Sequence, residues 1–323
     1  MLSASFQVLR RNPRPMFGFS LLLTGLISVF TFLVIGVITF FAVSRVAASA
    51  PGVDAETIEA GTVAIMILAA FVPLVLSIVL GAVLQGVVVL EVARGTVGEK
   101  LKLGGLWRAA KGRIGALIGW TLIITTAVVV AIGAVSLLIG LIIGFGGTAG
   151  VVAGVLLAIA AGLGAVVVAF WLSTRLALVP SVLMLERLPL RQAIPRAWSL
   201  TMGFFWKTLG IQLLVAVIVQ VAASIVSTPL SILASFGGFL VNPNGEESGA
   251  TVVLIVVSVF SVVIALVFGA IAAVVQTATT GLIYIDLRMR KEGLDLELTR
   301  FVEARNSGDS SVPDPYLARA TAS

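Results

Sequence analysis

Residues 114–172 read IGALIGWTLIITTAVVVAIGAVSLLIGLIIGFGGTAGVVAGVLLAIAAGLGAVVVAFWL, a stretch with no charged side chain and one obvious interruption, Phe145-Gly146-Gly147. About 20 apolar residues cross a hydrocarbon core as a helix, because the bilayer is about 30 Å thick and a helix rises about 1.5 Å per residue. The stretch is therefore long enough for two spans joined by a tight turn. Small residues recur at every fourth position on both sides of it: Ser136, Gly140 and Gly144 before, Gly150, Gly154, Ala158 and Gly162 after. That spacing predicts close packing of the two helix backbones within the hairpin, with dimerisation as the alternative use.

Outward from this hairpin, apolar runs at about 17–43, 62–90, 208–240 and 251–285 join 114–143 and 151–174 to make six spans. The expected fold is an all-α integral membrane protein, with a six-span membrane domain over 1–305 and a disordered tail over 306–323. Apolar residues make up 59% of the 323 and charged residues 11%, where a soluble domain carries about 25% charged. Pro73 and Pro229 fall inside the second and fifth runs, where neighbouring helices allow a kink.

Charge sets the orientation. Every Lys and Arg except Arg45 falls on one side of the six spans, while Asp54, Glu56, Glu59, Glu246 and Glu247 fall on the other. The positive-inside rule then places both termini in the cytoplasm of a multi-pass plasma (inner) membrane protein. The formal charge of +6 follows from this orientation, so it does not point to nucleic acid. Arg10, Arg11 and Arg14 before the first run and Ala48-Ser49-Ala50 after it resemble a signal peptide. The run is too long for an h-region of about 7–15 residues, and retention as an anchor is expected.

One unit is expected to recur three times. Phe6 and Gly18, Trp107 and Gly119, and Trp198 and Gly210 keep the same spacing before the first, third and fifth spans, and Gly112 matches Gly203. Gly86-VVVL-Glu91, Ser181-VLML-Glu186 and Gly281-LIYI-Asp286 close the second, fourth and sixth. The result is three pseudo-repeated hairpins, each ending on an acid.

The basic segments that open the units are amphipathic. Leu190, Ala193, Ile194, Ala197, Trp198 and Thr201 share one helix face, with Arg187, Arg191 and Arg196 elsewhere and Pro195 starting or kinking the helix. Leu103, Leu106, Trp107 and Ala110 form a second stripe, surrounded by Lys100, Lys102, Arg108 and Lys111. Such helices are expected to lie in the membrane interface, as anchors or as a platform for anionic headgroups. The candidate lipid residues are Lys100, Lys102, Trp107, Arg108, Lys111, Arg191, Arg196 and Trp198.

Reactive chemistry is sparse. The chain has no Cys and no His, which removes thiolate nucleophiles, the usual triads and the usual zinc sites. No catalytic, metal or cofactor residue is expected. Gly95-Thr96-Val97-Gly98-Glu99-Lys100 lacks the phosphate-loop spacing. Glu91, Glu186 and Asp286 read as structural acids at helix ends, paired with bases such as Arg94, Arg187 or Arg288. Arg175 is the one cation deep in an apolar context. Either the fourth span runs to Glu186 and buries it, or the span ends near Leu172, the side chain snorkels and the Pro180 stretch is an interfacial or cytoplasmic extension; the second is expected. In the tail, Leu294, Leu298 and Phe301 line one face of a helix ending near Arg305, and Asn306 onward reads as disordered.

The run Arg175-LALV-Pro180-SVLML-Glu186, then Arg196-Ala197-Trp198-Ser199-Leu200 and Phe205-Trp206, resembles the membrane domain family of glycerophosphoryl diester phosphodiesterase. The ending Tyr284-Ile285-Asp286-Leu287-Arg288-Met289-Arg290-Lys291-Glu292-Gly293-Leu294-Asp295 is similar to the close of its stand-alone actinobacterial members. The resemblance implies a bacterial membrane module without the catalytic barrel, serving lipid or envelope metabolism beside a separate enzyme. The expected function is non-catalytic: engagement of anionic lipid, or of a membrane or envelope partner protein, through the basic cytoplasmic face. A second copy of the chain is an alternative partner, and a permease or lipid-translocating subunit working through Arg175 and Gln220 is the rival reading.

Overall fold

In a hydrocarbon medium each backbone N–H and C=O needs a partner within its own segment, and the apolar runs meet that demand as long helices. The computed structural model describes residues 13–48, 55–99, 103–241, 247–307 and 312–317, and no strand occurs among them. The chain runs α1 (Pro13–Ala48), α2 (Ala55–Thr96), α3 (Leu103–Phe145), α4 (Gly147–Leu176) and a single turn α5 (Val179–Ser181). A π-helical segment (Val182–Glu186) follows, then α6 (Leu190–Thr201), α7 (Phe205–Val241), α8 (Glu247–Glu292) and α9 (Leu294–Asn306). Among the described residues six segments are long and apolar enough to cross a membrane: Phe17–Phe41, Phe71–Thr96, Gly104–Phe145, Gly147–Glu186, Phe205–Pro229 and Val257–Glu292. This is an all-α, multi-pass membrane protein. Helices α2 and α7 run on through Pro73 and Pro229.

The chain divides into two compact units, one of Gln85–Leu213 with Thr277–Ser323 and the other of Leu2–Leu84 with Leu214–Gln276. The first holds the polar chemistry. Its core gathers Val87, Val88 and Val89 of α2, Leu106, Ala110 and Leu117 of α3, and Tyr284 and Leu287 of α8, all nearly inaccessible. Leu178 through Glu186 are buried without a break. In the second unit, Val215, Val219 and Val275 pack together with Ile271 and Ala272. There the Ser20 hydroxyl donates to the Ala270 carbonyl at 2.9 Å, a buried bond between α1 and α8.

The α3–α4 hairpin forms at the expected turn. Gly147 takes φ +54°, a left-handed conformation that suits glycine. A Cβ on Gly146 or Gly150 would meet the Ile142 carbonyl oxygen inside 3.0 Å, and one on Gly154 would meet the Ile143 side chain. Gly140, Gly144 and Gly162 face open space, so only the positions next to the turn support the close approach. Over residues 122–171 no residue but Gly150 and Gly154 is buried, as befits a lipid-facing hairpin, while the first turns of α3 enter the core.

Four expectations about the ends of the spans need correction. The second basic segment is no separate interfacial helix, because α3 is one continuous helix of 43 residues from Leu103. At about 1.5 Å per residue it is about 64 Å long, twice the hydrocarbon thickness, so its basic first turns continue the span axis. Gly203, at φ +83°, breaks the chain between α6 and α7, whereas its counterpart Gly112 lies within α3. The same register mark thus serves two different backbones. The closing acids do not end their helices uniformly either. Helix α2 continues past Glu91 to Thr96 and α8 past Asp286 to Glu292, while Glu186 does end its segment, followed by Arg187 at φ +56°. Finally, residues 312–317 are placed, with Pro315 and Tyr316 buried, so this part of the tail is not disordered.

Candidate functional site: a closed ion-pair ring and an unpaired guanidinium

Helix α6 positions the first group. Its buried face is Ala193, Ala197, Leu200 and Thr201, close to the predicted stripe, with Leu200 added. Pro195 sits inside the helix, which starts earlier at Leu190 behind Pro189. The face is held down from α8, where Lys291 Nζ donates to the Ser199 and Met202 carbonyls at 2.7 and 2.8 Å. A cation at those terminal carbonyls complements the helix dipole.

This arrangement turns Arg196 inward. Its Nε donates to Glu186 Oε2 at 2.9 Å and its Nη2 to Glu292 Oε2 at 2.8 Å. Glu292 also accepts from Arg288 Nε at 3.0 Å; Arg288 Nη1 donates to the Tyr284 hydroxyl at 3.1 Å, and that hydroxyl donates to Glu186 Oε1 at 2.9 Å. The five side chains close a ring with two acids and two bases. Glu186 is 3% exposed and Arg288 3%, so neither ion would be stable there without the other members. Burial alone would lower the Arg196 pKa, but the bonds to Glu292 and Glu186 outweigh it and hold the guanidinium above the usual arginine range. Arg196 was expected to serve lipid; it is instead committed to two carboxylates.

The other acids separate from Glu186 by environment. Asp286 pairs with Lys207 at 2.9 Å and Arg290 at 3.0 Å, both bases well exposed. Glu91 is buried, at 4% exposure. The pairings expected with Arg187 and Arg288 are replaced: Arg187 is exposed at the left-handed turn, and Arg288 serves Glu292 and Tyr284. Among the described residues no group of His, Cys, Asp and Glu is arranged to hold a metal ion.

A second cluster ties the tail to the end of α2. Arg94 pairs with Asp314 and Glu99, and Arg305 of α9 pairs with Glu99 at 3.1 Å. Tyr316 donates to the Ala93 carbonyl at 3.1 Å and is hydrogen-bonded to the Thr96 hydroxyl; its own carbonyl accepts from Arg288 at 3.2 Å. The tail thereby touches the ring. Burial pushes the Tyr316 phenol up to about 12, against the opposing Thr96 hydrogen bond and with the Asp314 charge adding to the rise. A raised pKa means docking is fully favoured below the free phenol value of about 10 and lost as pH rises through about 12. The chain has two tyrosines. The tyrosinate absorbance difference between the native chain and Tyr316→Phe is expected to titrate near pH 12; a midpoint near the free phenol value would mean an undocked tail.

No protein-family model, curated protein or solved structure matches this chain.

Arg175 differs from every base in the ring. It lies in the last turn of α4 with its guanidinium carbon 5.2 Å from the Trp198 ring and 5.4 Å from the Phe205 ring. Trp171 meets Trp198 edge to face at 5.3 Å. Nε and Nη1 are buried without a hydrogen-bond partner. A cation–π contact contributes about 0.5–2 kcal/mol, whereas a buried donor left unpaired costs about 1–3 kcal/mol and a charged one more. Phe205 opens α7, so the guanidinium is level with the mouth of that span, within an aromatic cluster. The Pro180 stretch after it is not exposed but part of the buried core.

The remaining lipid candidates divide cleanly. Trp107 (44% exposed), Arg108 and Lys111 point outward from α3, opposite its buried Leu106 and Ala110. Arg191 is exposed on α6, and Trp198 is half-buried against Arg175 and Trp171. Lys100 and Lys102 lie outside the described residues. Farther along α3 and α4 a cleft of about 410 Å³ is lined mostly by apolar groups, with Gln85, Thr121, Thr125 and Ser173 as its polar ones.

Proposed function

We propose that the chain is a non-catalytic membrane module that engages anionic lipid through a basic cytoplasmic face. The observation that carries this reading is a division among the cations. Arg94, Arg196, Lys207, Arg288, Arg290 and Arg305 are paired with carboxylates. Arg108, Lys111 and Arg191 are exposed and have no carboxylate partner among the described residues. Unpaired bases on α3 beside an exposed Trp107, with a further one on α6, match the composition of a headgroup-contacting surface. Glu99, Glu186, Asp286, Glu292 and Asp314 are each paired with a base, which suits a structural use of these acids. The resemblance to the glycerophosphoryl diester phosphodiesterase membrane domain family fits the same proposal, as a plasma-membrane module.

The test is lipid selectivity in bilayer discs of mixed phosphatidylglycerol and phosphatidylcholine, read by energy transfer from tryptophan to labelled lipid. Each base near an anionic leaflet contributes about 1 kcal/mol. Arg108→Gln, Lys111→Gln and Arg191→Gln together are therefore expected to cut the anionic preference by up to about a hundredfold at low salt. An unchanged preference, with helicity retained, would sink the reading.

A permease or lipid-translocating role has one observation in its favour. In the second unit a cleft of about 310 Å³ is lined by Gln220, Ser227 and Ser261 among apolar residues. If lipid crosses there, Gln220→Leu should stop lipid movement in reconstituted vesicles.

A further inference from the structure

We propose that Arg175 is the headgroup ligand of one specifically bound phospholipid, its guanidinium contacting the phosphodiester. This deepens the lipid-binding reading and rests on it. Three observations converge. The guanidinium makes no hydrogen bond or ion pair among the described residues, although every base around the ring has found a carboxylate. It is also held in place rather than free to seek water, flanked by Trp198 and Phe205 with Trp171 bracing Trp198. And the residue is only partly buried: Nε and Nη1 are covered, while Nη2 is not among the buried atoms.

A planar, permanently charged guanidinium set against two aromatic rings, with Nε and Nη1 covered, leaves its Nη2 end accessible, which suits donation to phosphate oxygens. The cation–π contacts offset only part of the lost hydration, so an anion at that end completes the site. The apolar surroundings select the source. Leu172 and Leu176 flank the position on α4 and the neighbouring α4 surface is exposed and apolar, so an anion carrying acyl chains gains contacts that a free phosphate does not. A diffuse basic surface binds in a salt-dependent way. An arginine shielded by rings and acyl chains is screened much less.

The experiment is native mass spectrometry of the full chain, purified with added phosphatidylglycerol and washed at rising salt. The native chain is expected to keep one phospholipid at salt concentrations that strip the rest, and Arg175→Gln is expected to lower that retention at least about tenfold. Arg108→Gln with Lys111→Gln should reduce the salt-sensitive lipids and leave the retained one. No retained lipid on the native chain overturns the assignment without reference to any variant, which guards against misfolding of Arg175→Gln. Equal retention by native and Arg175→Gln chains also overturns it. Inorganic phosphate provides the last arm: displacement of the lipid by millimolar phosphate would mark a free-anion site and refute the lipid assignment. Loss of the salt-sensitive lipids alone tests the basic surface, so the two readings fail separately.

Discussion

Arg196→Met is expected to destabilise the protein by about 3–5 kcal/mol, the cost of removing one member of a buried ion pair. Methionine keeps an unbranched apolar stem, so the change isolates the charge. Without Arg196, Glu186 retains only the Tyr284 hydroxyl as a side-chain donor among the described residues, in a position where its side chain is 1% exposed. Glu292 keeps Arg288, so the damage concentrates on Glu186. The double variant Arg196→Met with Glu186→Gln is therefore expected to be more stable than Arg196→Met alone, because neutralising the stranded carboxylate removes most of the penalty. Thermal unfolding in detergent, followed by circular dichroism, measures both. A double variant weaker than the single one would mean that the ring does not act as a charge-compensated unit. Asp286→Asn provides the contrast: its partners Lys207 and Arg290 are 40% and 51% exposed, and pairs of that kind contribute about 0–1 kcal/mol.

The contrast also shows why the three acids of the proposed repeat were hard to tell apart in the sequence. Glu91, Glu186 and Asp286 share a local pattern of small residue, four apolar residues and an acid, but their burial is decided by distant segments. Helix α6 and the end of α8 enclose Glu186 through Arg196 and Tyr284, from 10 and 98 positions away. The spans were legible because apolar run length is a local property with one dominant cause. The face of α6 was legible for a similar reason, since helical periodicity marks what must be buried. The second basic segment was misread because its stripe of Leu106 and Ala110 packs on protein, and amphipathicity does not say whether an apolar face meets lipid or core. Glu292 carries a local signal, being four residues after Arg288 on one helix face. The docking of Tyr316 offered little, because a short Pro-containing tail is placed by contacts far away in sequence at Ala93 and Thr96.

Gly150→Ala is expected to weaken the α3–α4 hairpin by about 1–3 kcal/mol, as an overpacked contact does, while Gly162→Ala in the same helix strengthens it. The two substitutions add the same methyl group to the same helix, and the chain around them decides the sign. At Gly150 the methyl would meet the Ile142 carbonyl oxygen inside 3.0 Å, and that oxygen already accepts from the Gly146 N–H at 3.0 Å in the turn. Backbone cannot rotate away as a side chain does, so the two helices must separate and the turn must open. At Gly154 the obstacle is the Ile143 side chain, which can change rotamer, and a smaller loss follows for Gly154→Ala. Gly162 has nothing within 4 Å of a built Cβ. There, alanine gains the helix preference over glycine of about 0.5–1 kcal/mol. The chain has no cysteine, so a disulfide engineered across the hairpin near the turn reports separation without background. Its formation is expected to slow in Gly150→Ala and to be unchanged in Gly162→Ala. Equal cross-linking and equal melting for the two variants would show that the hairpin does not depend on the close approach at Gly150, and the small residues at every fourth position would then need another role, such as contact with a second copy of the chain.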